Sequence, residues 1–168
     1  MNLKKKIILL FKQGMLSLFL IVFVACAGSL DNYQGKTADP DSRIGLNGGS
    51  HNGTWQTDDL TVKYSYSRKP NTLQITGNVE LKDKLKDVSD IVQNFVLQVN
   101  FLNSNGQALD TKELAIAGYR EMVTNWDFDH SFELPANTSA MAFSYQGQMG
   151  FEAAGGGSAG QFWHDPFQ

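Results

Sequence analysis

The chain has 168 residues, with 14 lysines and arginines against 17 aspartates and glutamates, a formal charge of −3, and a single cysteine. That length accommodates about one ordinary domain with short appendages, and one cysteine excludes an internal disulfide framework. The lysines beyond the amino terminus are scattered, as at Lys82, Lys84 and Lys86, each close to an acid. They form no basic stripe able to displace counterions from a polyanion, which excludes nucleic acid as a partner.

At the amino terminus Lys4, Lys5, Lys6 and Lys12 precede an apolar run from Met15 to Val24, and the small residues Ala25, Cys26, Ala27 and Gly28 follow. This is the order of a secretory signal peptide over residues 1–25, in which the basic start stays in the cytoplasm while the short apolar stretch inserts. An uncleaved anchor over Ile7 to Val24 is the rival reading. Lys12, Gln13 and Gly14 interrupt it, leaving fewer than the ~20 apolar residues that a spanning helix needs.

Phe23-Val24-Ala25-Cys26 resembles the lipobox of bacterial lipoproteins, with Phe23 where that family usually has leucine. The resemblance implies cleavage before Cys26, lipidation of its thiol, and a lipid-anchored protein of the cell envelope. Ala27, in place of an aspartate, implies the outer membrane rather than the inner one. Use of Ala25-Cys26-Ala27 by ordinary signal peptidase is the alternative, and it would release a soluble periplasmic or secreted protein. Without residues 1–25 the chain keeps 10 basic and 17 acidic residues, a formal charge of −7, which favours solubility.

From Gly28 to Gly53 the composition is polar and glycine-rich, so residues 26–53 are expected to be a flexible, lipid-anchored linker, with the folded domain over 54–168. As coil, an r.m.s. span of ~5–6 Å × √n holds the domain a few tens of ångströms from the lipid surface.

Strict alternation then begins, with Leu60, Val62, Tyr64 and Tyr66 on one face and Thr61, Lys63, Ser65 and Ser67 on the other, the period of a half-buried strand. Arg68-Lys69-Pro70-Asn71 reads as a turn into a second strand, Thr72 to Leu81, presenting Leu73, Ile75, Val79 and Leu81. Over Glu80 to Gln93 the spacing of Leu81, Leu85, Val88 and Val92 fits one short amphipathic helix, or else an extended connection with solvated charges.

Asn94 to Leu102 resumes the strand pattern with Phe95, Leu97, Val99 and Phe101, and Asn103-Ser104-Asn105-Gly106 supplies a turn into a partner over Gln107 to Ala117. Trp126, Phe128, His130, Phe132 and Leu134 alternate with polar residues up to Pro135, and Ser139 to Gln146 places Met141, Phe143 and Tyr145 on one face. About six to seven strands at this spacing predict an all-β, antiparallel β-sandwich.

Ile75-Thr76-Gly77-Asn78-Val79, the stretch Val99 to Gly106, and Phe132-Glu133-Leu134-Pro135 resemble the immunoglobulin-like modules of bacterial envelope proteins, of the Phe-x-Leu-Tyr-Asp type. Leu102-Asn103 stands where that pattern has Tyr-Asp. The resemblance implies an immunoglobulin-like fold and no particular activity, because such sandwiches host many functions.

Residues that could carry chemistry are few. His130 falls on the apolar face of its strand, His51 in the linker, and His164 beside Asp165 near the carboxyl terminus, without metal-ligand spacing. No Gly-x-Ser-x-Gly elbow occurs. The run Gly155 to Gly160 satisfies Gly-x-Gly-x-x-Gly by composition but lacks a following helix, and it reads as a loop. No catalytic set, metal site or cofactor is therefore expected.

The segment Gln161 to Phe167 gathers Phe162, Trp163 and Phe167. It reads either as a final edge strand that returns to the sandwich or as a mobile aromatic anchor for a partner. The expected function is an envelope binding or assembly module, with an envelope protein as partner and Trp163, Phe162, Phe167, Tyr119 and Trp55 as candidate contacts. A small-molecule or glycan binder using exposed aromatics is the alternative, and a hydrolase would require His130 in a pocket beside an acid.

Overall fold

Leu60, Val62 and Tyr66 all lie at or below 5% exposure, as the alternation predicts, on a strand that pairs along its length with the next. The computed structural model describes residues 33–87, 89, 91–122, 125–150 and 158–167, which belong to one compact unit. The signal peptide, the lipobox with Cys26, Val88 and Gly155 to Gly157 lie outside the described residues.

The elements in chain order are a 3₁₀ turn Pro40–Ser42, β1 (Ile44–Gly45), β2 (Gly49–Gln56), β3 (Leu60–Lys69) and β4 (Thr72–Leu81). There follow α1 (Asp83–Lys86), β5 (Ile91–Leu102), β6 (Ala108–Met122), β7 (Trp126–Glu133), β8 (Ala140–Gly150) and β9 (Ser158–His164). One sheet has the order β2-β3-β4-β7. The other runs β6-β5-β8, with β1 and β9 both paired to β8, and all the pairings are antiparallel.

The chain crosses between sheets from β4 to β5 and again from β7 to β8, while β4 pairs with β7 and β5 with β8. Two such interlocked pairs make an immunoglobulin-like sandwich. In that scheme β3, β4 and β7 stand at A, B and E, and β6, β5, β8 and β9 at C′, C, F and G. Strand β2 is an addition outside A.

Residues expected to face inward do so. Phe95, Leu97, Val99, Phe101, Leu73, Ile75, Val79 and Met141 are fully buried in one core. Aromatic contacts carry that core across the gap between sheets: Phe95 on Trp126 at 4.8 Å, Tyr64 against Phe143 at 5.2 Å and Phe101 against Phe132 at 5.9 Å. The β3–β4 hairpin closes through Pro70–Asn71, with Lys69 opposite Thr72. At the β5–β6 turn Gly106 has φ 83°, a conformation open to glycine, and a Cβ there would collide with the Arg43 guanidinium.

The helical expectation over Glu80 to Gln93 reduces to α1, a single turn on the β4–β5 crossover. One expectation, the extent of the linker, is corrected. The linker assigned to 26–53 does not extend that far, because residues 33–53 are part of the domain. Tyr33, Ala38 and Leu46 are buried, and β2 pairs with β3 from Gly49↔Arg68 to Gln56↔Thr61. The domain therefore begins by Tyr33 rather than at Thr54. Nine strands are present among the described residues: the six read from alternation, β9 where the tail was read as a final edge strand, and the further β1 and β2.

Residues 33–43 lie across the outer face of the second sheet. Thr37 pairs with Gln107 and Ala38 with Phe167, and a smaller apolar cluster of Tyr33, Ala38, Leu102, Ala108 and Ala142 forms there with Phe167 packed against it. Beside it runs a buried polar ladder. Asn100 Nδ2 donates to Ser144 Oγ at 2.9 Å, Thr111 Oγ1 donates to Asn100 Oδ1 at 2.7 Å, and Ser144 Oγ donates to Gln98 Oε1 at 3.3 Å.

Candidate functional site

The aromatic tail is strand β9, hydrogen-bonded to β8 from Tyr145↔His164 to Gly150↔Ser158. Strand geometry sends successive side chains to opposite faces, so the tail divides its rings. Phe162 is 4% exposed and packs in the core on Phe95 and Tyr145, both 6.0 Å away, whereas Trp163 points outward and is 67% exposed.

The other candidate contacts separate in the same manner. Trp55 is half-buried, tilted on Phe143 at 5.3 Å and edge-on to His164 at 5.2 Å. Phe167 stacks on Tyr33. Tyr119 lies on β6, and its side chain is outside the described residues. Of the five, Phe162 is corrected from a contact residue to a core residue. Phe167 and Trp55 pack against the protein, and Trp163 is left facing solvent.

Register brings Trp163 a set of neighbours that spacing alone did not reveal. Trp163 pairs with Gln146, Gln146 with Val96, and Val96 with Ile116, so the four form one cross-strand row from β9 to β6 on the outer face. Ile116 is 62% exposed, and Ile116 and Trp163 are the large apolar side chains left exposed among the described residues. The next row runs Gln161–Gln148–Asn94–Gly118, with Asn94 Nδ2 donating to Gln148 Oε1 at 3.1 Å. Between the rows lies an open depression of about 410 Å³, lined by Trp163, Gln161, Gln146, Gln148, Asn94 and Val96 among others.

The histidines have structural partners. A register shift between Leu97 and Gln98 leaves Leu114 as the extra residue of a bulge on β6. His130 Nε2 lies 2.8 Å from the Leu114 carbonyl oxygen, and its ring stacks on Phe132 at 5.5 Å. This imidazole joins the edge strand of one sheet to the edge strand of the other. The partner given to it is a backbone carbonyl rather than an acid. His51 lies 3.0 Å from the Gly48 carbonyl and against Tyr66.

His164 stacks on Tyr145 at 6.0 Å, beside a polar cluster centred on Asp59. Tyr145 Oη donates to Asp59 Oδ2 at 2.7 Å and lies 2.9 Å from Thr57 Oγ1, and Lys84 pairs with Asp59 at 2.9 Å. Burial, followed by the bond to Asp59, pushes the Tyr145 hydroxyl well above the ordinary tyrosine range, which keeps it a neutral donor. Burial likewise holds the His164 imidazole below its ordinary pKa, and its Nε2 is buried without a hydrogen-bond partner in the structure. The cluster clamps the β2–β3 turn to β8 and offers no activated nucleophile. Among the described residues no three metal-ligating side chains converge.

No family model matches the chain, and neither the curated proteins nor the solved structures give a significant match.

Proposed function

We propose that this is an exported envelope protein, anchored by a lipid on Cys26, whose domain is a non-catalytic binding module. Its contact surface is the outer face of the β6-β5-β8-β9 sheet. The observation that supports this most is the placing of Trp163 and Ile116, the large apolar side chains exposed among the described residues, in one row on that face while Phe162, Phe167 and Trp55 are partly or wholly covered. Trp163 and Ile116 end this row with Gln146 and the partly exposed Val96 between them, and apolar surface gathered on one face, unlike single scattered side chains, marks contact surfaces. The amino-terminal lysines, the apolar run and Phe23-Val24-Ala25-Cys26 support the anchor.

The opposite sheet supports the choice of face by contrast. Its outward rows, such as Asn52–Ser65–Thr76–Asp129, are polar throughout. In-cell photo-crosslinking with the reactive group at position 163, and separately at Ser65 on that polar face, tests the reading. Adducts concentrated at 163 are expected. Equal labelling at the two positions would overturn the assignment of the face.

A further inference from the structure

The extent of the Trp163 face limits what can occupy it. Neighbouring strands stand about 4.8 Å apart, so the row from Trp163 to Ile116 spans roughly 14 Å, and two rows along the strands add about the same again, for a platform on the order of 200 Å². The next row inward, Gln98 and Ser144, is buried and ends the platform. A standard protein interface covers about 800 Å² on each partner. This platform suits a narrow ligand, a few small rings wide.

Its chemistry limits the ligand further. Among the described residues that line the depression none is ionisable, although the mature chain carries a formal charge of −7. An acidic ligand would meet no counter-charge from these residues. Amide side chains present both donors and acceptors, which matches hydroxyl groups, since these also do both. The indole offers a flat, weakly polar surface to a ring that is apolar on one side. A pyranose has this combination, with C–H bonds on its face and hydroxyls around its rim.

We infer that this face binds a neutral glycan chain, with one pyranose stacked on Trp163, its hydroxyls held by Asn94, Gln148 and Gln161, and the chain continuing over Val96 towards Ile116. The inference rests on the reading of this face as the contact surface and gives that surface its ligand class.

The test uses the mature full-length protein in detergent micelles on an array of neutral and acidic glycans, with retained glycans titrated by tryptophan fluorescence. Retention on a neutral glycan that persists at raised salt is expected. Trp163→Ala should weaken it about tenfold or more with an unchanged Tm, and Asn94→Ala should weaken it by a smaller factor. Retention of acidic glycans alone, retention of none, or neutral-glycan binding indifferent to Trp163→Ala would each overturn the inference. If no glycan binds while crosslinks at position 163 recur on one protein partner, the glycan inference fails and the contact surface stands; if both are absent, both fail.

Discussion

The ring of Tyr33 stacks on that of Phe167, with 4.6 Å between centroids and 22° between planes. The first described residue of the domain is thus fastened to one of the last, and the Asp39 amide donates to the Pro166 carbonyl at 2.7 Å beside them. Tyr33→Ala should lower stability by about 2 kcal/mol, the scale of a buried ring and its stacking partner. Removing residues 165–168 should lower it similarly, and the two changes together should fall short of additive because they disrupt one contact. Chemical denaturation of the three variants measures this, and full additivity would show that the two ends are held independently.

Phe162 and Trp163 are adjacent in sequence and opposite in consequence. Phe162→Ala removes a core ring and should cost about 3–4 kcal/mol, with a fall in Tm of roughly 10 °C or more. Trp163→Ala, on the solvent side, should stay within about 0.5 kcal/mol of the parent. Truncation after Gly160 removes Gln161 to His164, most of β9, together with Phe162, and should be at least as damaging as Phe162→Ala. Equal effects of the two single substitutions would contradict the facing of β9.

Asn100 has no exposed surface and bonds to Ser144, Ala142 and Thr111. Asn100→Leu strips partners from buried groups and should destabilise by about 1–3 kcal/mol, although it adds apolar bulk. A stabilised variant would mean that the ladder is dispensable.

Gly77 sits opposite Tyr64 on one side and Phe128 on the other. A Cβ there would come to 2.5 Å from the Lys63 carbonyl oxygen and 2.5 Å from Phe128 Cζ. Gly77→Ala should therefore cost about 1–3 kcal/mol through overpacking, despite alanine's lower conformational freedom in the unfolded chain. Thermal melts compare it with Gly160→Ala on β9, where the added Cβ meets nothing within 4 Å.

Burial is the main cause of the lowered His164 pKa, outweighing the opposing pull of Asp165 and Asp59. The unfolded chain then takes up a proton at a pH where the folded domain does not. The stability tied to this residue is complete above the ordinary histidine value of about 6.5 and is lost as the pH falls through the lower folded value. His164→Phe keeps a ring against Tyr145 and Trp55 and should flatten that limb of a Tm-against-pH curve. Parallel curves for parent and variant would refute the assignment.

Much of the sandwich was legible because its core strands alternate cleanly. The series Leu60 to Tyr66 and Phe95 to Phe101 carry one apolar side chain every second residue, and the structure buries nearly all of them. Strand β2 was not legible, since Gly49-Ser50-His51-Asn52-Gly53-Thr54 has no apolar period. It is a strand because β3 offers an edge, and at Gly53 the inward space is filled by the Tyr64 ring rather than by a side chain of its own. Trp163 was legible as an aromatic of interest. Its neighbours Val96, Ile116 and Asn94 were not, because they lie on other strands and only register brings them into line.

The early start of the folded domain alters the geometry of attachment. Seven residue steps separate Cys26 from Tyr33, and a fully extended chain covers at most about 3.3–3.6 Å per residue, so a lipid on Cys26 would leave a leash no longer than roughly 25 Å. The diameter of a domain this size is comparable to such a leash. On the proposed anchor the module would stay within about that distance of the membrane, and a ligand would have to come as close to be held.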